Sequence, residues 1–288
     1  MSREGPPLPG EDVVPATAGR RPRLLVLPRE HGAWAMMLAP YIIGAAAAGY
    51  SWLLLPGLAA VLLLFFSRPP LALLLKRRSR PRGRGASARL WLNFALPAAS
   101  GLGIFGILTV AGGLWCLPVF GCAGLILFFM HTLVAQRSRE RSAAAELLGI
   151  AMLTLTAPLA DYLGRGSLTG EAAALWLLCL AYFGASVFYV KMKVAASIKR
   201  GTRLEAGGRM PLAAGSLVYT IAMLVLAGVL AASGWAPPLV LLAYAPVAFY
   251  GAWSFIFLGP RLSIKREGAV QTLLALSFTG LMILSYRV

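Results

Sequence analysis

Nine runs of apolar residues, each near the length that crosses a bilayer as a helix, leave this chain few ways to fold. Hydrocarbon about 30 Å thick takes about 20 apolar residues at the helical rise, and a lone segment in lipid must satisfy its own backbone N–H and C=O groups. The runs cover residues 33–50, 52–75, 90–110, 114–134, 147–163, 172–190, 212–232, 238–258 and 269–286. The expected fold is therefore all-α: a polytopic membrane helix bundle of about nine transmembrane helices, in a single domain over residues 28–288. Residues 1–27, polar and proline-rich, are expected to form a disordered cytoplasmic tail and lack the apolar core of a secretory signal peptide.

Composition agrees. Hydrophobic residues make up 59% of the chain and charged ones 13%, with a mean hydropathy of +0.75. A soluble domain would carry about a quarter charged residues. Tyr50-Ser51-Trp52 alone separates the first two runs, which requires a tight hairpin. Arg68-Pro69-Pro70 interrupts the second run, so that helix either ends near Phe66 in an interfacial turn or continues toward Leu75.

The formal charge of +17 would suit nucleic acid if it were spread over a folded surface, but it sits in short connections. Of 27 Lys and Arg residues, 25 fall in residues 1–29 and in segments 68–89, 137–141, 191–209 and 261–266; Arg165 and Arg287 remain for the other side. By the positive-inside rule the N-terminus is cytoplasmic and the C-terminus outside, which demands an odd number of crossings. No nucleic-acid partner is expected. Cys116, Cys122 and Cys179 form no CxxC pair and suggest small core residues rather than a disulfide or zinc site.

Three polar clusters stand out. Arg29, Glu30 and His31 precede Trp34 at the entrance of the first helix, where Arg29 and His31 can donate to an anion and Glu30 can orient one of them or take a proton. Pro40 allows that helix to kink. Arg137, Arg139 and Arg141 alternate around Glu140, and guanidinium forks suit phosphate oxygens. Tyr189, Lys191 and Lys193 lie near the end of the sixth run, and lysines two apart do not share a face, so one is expected to snorkel outward and the other to point inward. Arg68 is expected at the interface, and Asp161 in a loop ion pair with Arg165. His31 and His131 would have to face each other to hold a haem, which spacing does not establish.

The segment HGAWAM at residues 31–36, with RERSAAAELLG and FGASVFYVKMK, resembles the YwiC-like family of bacterial membrane proteins over roughly residues 24–288. That resemblance implies an integral protein of the bacterial cytoplasmic (inner) membrane and no known reaction. PREHGAWAMMLAPYIIGAAAAG and AQRSRERSAAAELLGIAM are also similar to the first helix and the basic fourth-to-fifth loop of UbiA-type prenyltransferases. This implies UbiA-like topology and functional loops after the second, fourth and sixth helices. Those enzymes hold magnesium on aspartate-rich motifs, whereas here the second and sixth loops read KRRSRPRGRG and KMKVAASIKRGTRLEAGG, with Glu205 the lone acid.

The expectation is binding of an anionic amphiphile, a lipid phosphate or isoprenoid diphosphate, in a pocket between the first, fourth and sixth helices. Arg29, His31, Trp34, Arg68, Arg137, Arg139, Arg141, Tyr189, Lys191 and Lys193 are its candidate ligands. No cofactor or metal is expected, magnesium entering only if the chain is a prenyltransferase, in which case Glu30, His31 and Glu140 would handle protons. A membrane-complex assembly factor and a transporter stay open as well; for a transporter, Thr154, Thr156 and Pro158 form the best polar interruption of a helix.

Overall fold

The computed structural model describes residues 31–77, 84–137, 142–198, 206–258 and 263–288. Among the described residues ten helices are formed: α1 (His31–Ala48), α2 (Leu54–Arg77), α3 (Arg84–Ala111), α4 (Leu117–Arg137), α5 (Ala143–Thr154), α6 (Thr156–Arg165), α7 (Gly170–Ile198), α8 (Ala206–Ala232), α9 (Val240–Ile256) and α10 (Ile264–Arg287). Among the described residues seven stretches are long and apolar enough to cross a membrane, α5 and α6 together forming one, and Gly32–Ala48 and Val240–Ile256 are shorter apolar helices. The chain is an all-helical, multi-pass membrane protein.

Three elements depart from simple apolar runs. Helix α2 does not end near Phe66 but continues through Pro69 and Pro70 to Arg77. Each proline removes only its own N–H from the ladder, and the apolar residues 71–75 keep the segment helical. The fifth crossing is broken at Leu155, because Pro158 offers no N–H to the Thr154 carbonyl. There Thr156 Oγ1 donates instead to Met37 O of α1, at 2.8 Å. Helix α7 extends to Ile198, about two turns past the expected end, which lifts Tyr189, Lys191 and Lys193 into its body.

The centre of the bundle is α5, α6 and α7. In the most apolar stretches of the fifth and sixth crossings 61% of residues are buried, against 11% in α3 and in α4, so those two lie at the periphery with their leucines and phenylalanines toward lipid. Two large apolar clusters fill the interior, one around Tyr182, Tyr244 and Phe278 and one around Met37, Tyr41 and Leu163.

Without water to drive helices together in lipid, close backbone approach matters. A side chain on Gly44 of α1 would run into the Ala157 carbonyl of α6, and one on Gly164 into Ala48. Small residues thus let α1 and α6 run side by side.

The two ends of the bundle differ. At one end α1, α3, α5, α8 and α10 begin, beside the basic segments of the sequence. At the other, four short turns each carry a left-handed glycine: Gly49, Gly113, Gly166 and Gly234. Gly49, with φ of 97°, makes the hairpin between α1 and α2.

Candidate ligand cavity

At the basic end, α1, α7, α8, α9 and α10 surround a cavity of about 680 Å³. Met36, Phe183, Val247 and Ala275 give it apolar wall, while Ser186, Ser216, Thr220 and Gln271 add scattered polar atoms and exposed Lys265 adds a cation. Among the described residues no carboxylate pairs with Lys265. Tyr182, also in the wall, stacks on Phe278 at 3.7 Å between ring centroids, which fixes its ring face.

Two tyrosines of the wall are fixed from behind by one carboxylate. Tyr189 of α7 donates to Glu267 Oε2 at 2.8 Å, and Tyr250 of α9 donates to the same oxygen at 3.0 Å. With its proton so used, Tyr189 accepts from Ser254 Oγ at 3.1 Å. Lys193 lies 3.5 Å from Glu267 Oε1 and 5.6 Å from the centre of the Tyr189 ring. Glu267, in the first turn of α10, therefore ties α7, α9 and α10 together beside the cavity.

A second polar group lies at the opposite end. Asp161 is completely buried on α6, and Arg165 Nε donates to its Oδ1 at 2.8 Å. The same guanidinium reaches Glu171 Oε2 at 2.8 Å and the Ala47 carbonyl at 3.1 Å. The ion pair is thus as expected, but it lies within a helix and not in a loop. Asp161 Oδ2 and the Tyr286 hydroxyl are buried with no hydrogen-bond partner.

The expected ligand residues separate. Tyr189 lines the cavity and Lys193 stands behind it, while Lys191 is half-buried on α7. Trp34 packs edge-on against Phe65 and Phe66 of α2, with centroids 5.2 and 5.6 Å apart. Arg68 is half-buried within α2, and Arg137 is exposed at the end of α4. Arg29, Glu30, Arg139, Glu140, Arg141, the side chain of His31 and the 1–27 tail lie outside the described residues. His131 Nδ1 donates to the Ala145 carbonyl at 2.7 Å, which holds α4 to α5.

Helix α4 does not line this cavity, which lies among α1, α7, α8, α9 and α10 rather than between the first, fourth and sixth runs. Glu267, Tyr250, Ser254 and Lys265 escape a reading by motif because they come from two distant helices in ordinary apolar or basic contexts. A carboxylate one turn inside the last crossing is the signal that finds them.

A family model described as YwiC-like protein matches residues 27–161. Over those residues the chain is similar to the YwiC-like family. The uncharacterized protein YwiC of Bacillus subtilis (strain 168) is 28% identical over 168 residues, 58% of this chain and 66% of that protein, so the chain spans a little under two thirds of that relative's length. No solved structure matches. The YwiC-like region supplies Gly32, Ala35 and Met36 to the cavity and stops before α7, so most of the wall comes from beyond the matched residues.

Proposed function

We propose that this YwiC-like protein binds an anionic amphiphile, a lipid phosphate or an isoprenoid diphosphate, with its headgroup at the basic end of the cavity and its chain against the apolar wall. The observation that carries this reading is the juxtaposition of Lys265 with Met36, Phe183 and Val247 around one cavity of about 680 Å³. That volume is within the range of small-molecule sites. Each further Lys or Arg near an anionic membrane adds attraction of about 1 kcal/mol, so the basic segments concentrate such ligands at this end. The charge asymmetry supports a bacterial inner-membrane protein with a cytoplasmic N-terminus and an external C-terminus.

Prenyltransferase activity and UbiA-like topology rest on sequence resemblance. Among the described residues no three His, Cys, Asp or Glu side chains converge. A transporter would rest on the helix break at Leu155.

Native mass spectrometry of the protein released from its own membrane tests the proposal. Retention of a phosphate-bearing lipid or prenyl diphosphate that survives delipidation, and that Lys265→Ala reduces, is expected. Release of all lipid with the same ease from both proteins contradicts it. Turnover of a prenyl diphosphate with an aromatic acceptor, lost in His31→Ala, would favour the transferase instead.

A further inference from the structure

The five helices around the cavity form a closed ring: α1 packs on α7, α7 on α8, α8 on α9, α9 on α10 and α10 back on α1. A ligand with its headgroup at Lys265 therefore keeps its chain inside that ring, in a space of about 680 Å³. A methylene takes about as much room as a water molecule, ~30 Å³, so one chain of about 18 carbons fills roughly 540 Å³ and two fill roughly 1,080 Å³. One chain with a small headgroup fits, and two chains do not.

Residues with hydroxyl groups on three of these helices line the same space, and each hydroxyl has its proton in use. Ser186 Oγ of α7 donates to Phe183 O at 2.7 Å, Thr220 Oγ1 of α8 to Ser216 O at 2.9 Å and Thr272 Oγ1 of α10 to Gly268 O at 2.9 Å. Such bonds to a carbonyl one turn back leave the oxygen lone pairs able to accept. A ligand acceptor would have to draw the proton off that carbonyl, losing one bond for one gained, whereas a ligand O–H adds a bond and breaks none. Tyr189 and Tyr250 add no donor here, since both phenol protons go to Glu267. That carboxylate does not call for a cationic ligand, because Lys193 stands 3.5 Å from its other oxygen. The wall thus suits a neutral donor beside an anionic group.

The levels of these groups agree. Tyr189 meets Glu267, which sets α7 against α10. Ser186 is about one turn farther from the basic end than Tyr189, Thr272 a little over one turn farther than Glu267, and Phe183 farther again. Going inward, the wall presents the Lys265 cation, then the oxygens of Ser186 and Thr272, then the Phe183 ring.

Building on the phosphate-amphiphile reading above, we infer that the ligand is a single-chain phosphate ester with a hydroxyl on the carbons that join phosphate to chain. This is the chemistry of a lysophospholipid, and not of a two-chain lipid phosphate or an isoprenoid diphosphate. The phosphate meets Lys265, the hydroxyl donates to Ser186 or Thr272, and the chain lies on Phe183, Val247 and Met36.

Native mass spectrometry of the delipidated protein tests this, with four probes titrated in detergent: oleoyl lysophosphatidic acid, its analogue lacking the glycerol hydroxyl, dioleoyl phosphatidic acid and geranylgeranyl diphosphate. Lysophosphatidic acid is expected to bind about fivefold tighter than the analogue, the worth of one hydrogen bond, and tighter than the other two. Ser186→Ala combined with Thr272→Val should abolish that preference while the analogue binds as before, which also shows that the variant is folded; the wild-type comparison decides alone if it is not. The inference is overturned, with a phosphate site left standing, if the wild type binds lysophosphatidic acid and its analogue equally, binds the diphosphate tightest, or takes the two-chain lipid equally well. If none of the four binds the wild type more tightly than Lys265→Ala, the phosphate reading itself falls, and this inference with it.

Discussion

Tyr189 and Glu267 are 78 positions apart in the chain, yet their side chains meet at 2.8 Å beside the cavity. Because Tyr250 and Lys193 use the same carboxylate, one residue sets the spacing of three helices. Glu267→Gln keeps the shape but removes the charge that Lys193 and the phenols address. A loss of about 2 kcal/mol is expected, since hydrogen bonds to charged groups are worth about 1.5 to 3 kcal/mol and this one is partly exposed. Thermal unfolding in detergent measures it; Tyr250→Phe should cost less, because Tyr189 and Lys193 still engage the carboxylate.

Gly44 offers a sharper steric test. Gly44→Val places a side chain on the Ala157 carbonyl, which is backbone and has nowhere to go, so α1 and α6 must separate. Overpacking of this kind costs about 1 to 3 kcal/mol or more. Gly103→Ala, where a Cβ meets nothing within 4 Å, serves as the control and should be near neutral. Monodispersity on size exclusion, together with the unfolding midpoint, separates the two.

Lys265 and Trp34 should divide binding from packing. Lys265→Ala is expected to lower retention of anionic lipid several-fold with little change in stability, as its side chain is exposed and unpaired with any described carboxylate. Trp34→Ala should do the reverse, losing its edge-on contacts with Phe65 and Phe66 while lipid retention stays as it was. Lipid quantified per mole of protein, beside a melting curve, reads both.

Orientation is testable at two exposed positions. Ser263→Cys, just before α10, should react with an impermeant maleimide only from the cytoplasmic side. Tyr50→Cys, in the hairpin after α1, should react only from outside. Labelling of both from one side would overturn the odd number of crossings.

Much of the fold can be read from the chain because hydrophobic length is a local property: all nine apolar runs form helices, α5 and α6 sharing one run. What is not legible depends on neighbours. Pro69 and Pro70 look like a helix end but sit inside α2, since apolar sequence on both sides outweighs the lost backbone bonds. Pro158 does break its helix, and Thr156 binding Met37 of another helix is part of what accommodates it. Lys193 is visible as a candidate, but its partner Glu267 arrives from a distant helix, and no periodicity joins the two. Asp161 reads as a loop residue because Gly164 and Gly166 follow closely, whereas α6 carries on to Arg165 before Gly166 turns the chain.

Photo-crosslinking with an anionic lipid bearing a diazirine near the end of its chain separates a cavity ligand from the lipid that coats any membrane protein. If the amphiphile enters the cavity, adducts concentrate on peptides carrying Met36, Phe183 and Val247 and fall on Lys265→Ala. Adducts spread instead over the lipid-facing residues of α3 and α4, such as Leu102 and Phe129, and indifferent to Lys265, would contradict a ligand site there.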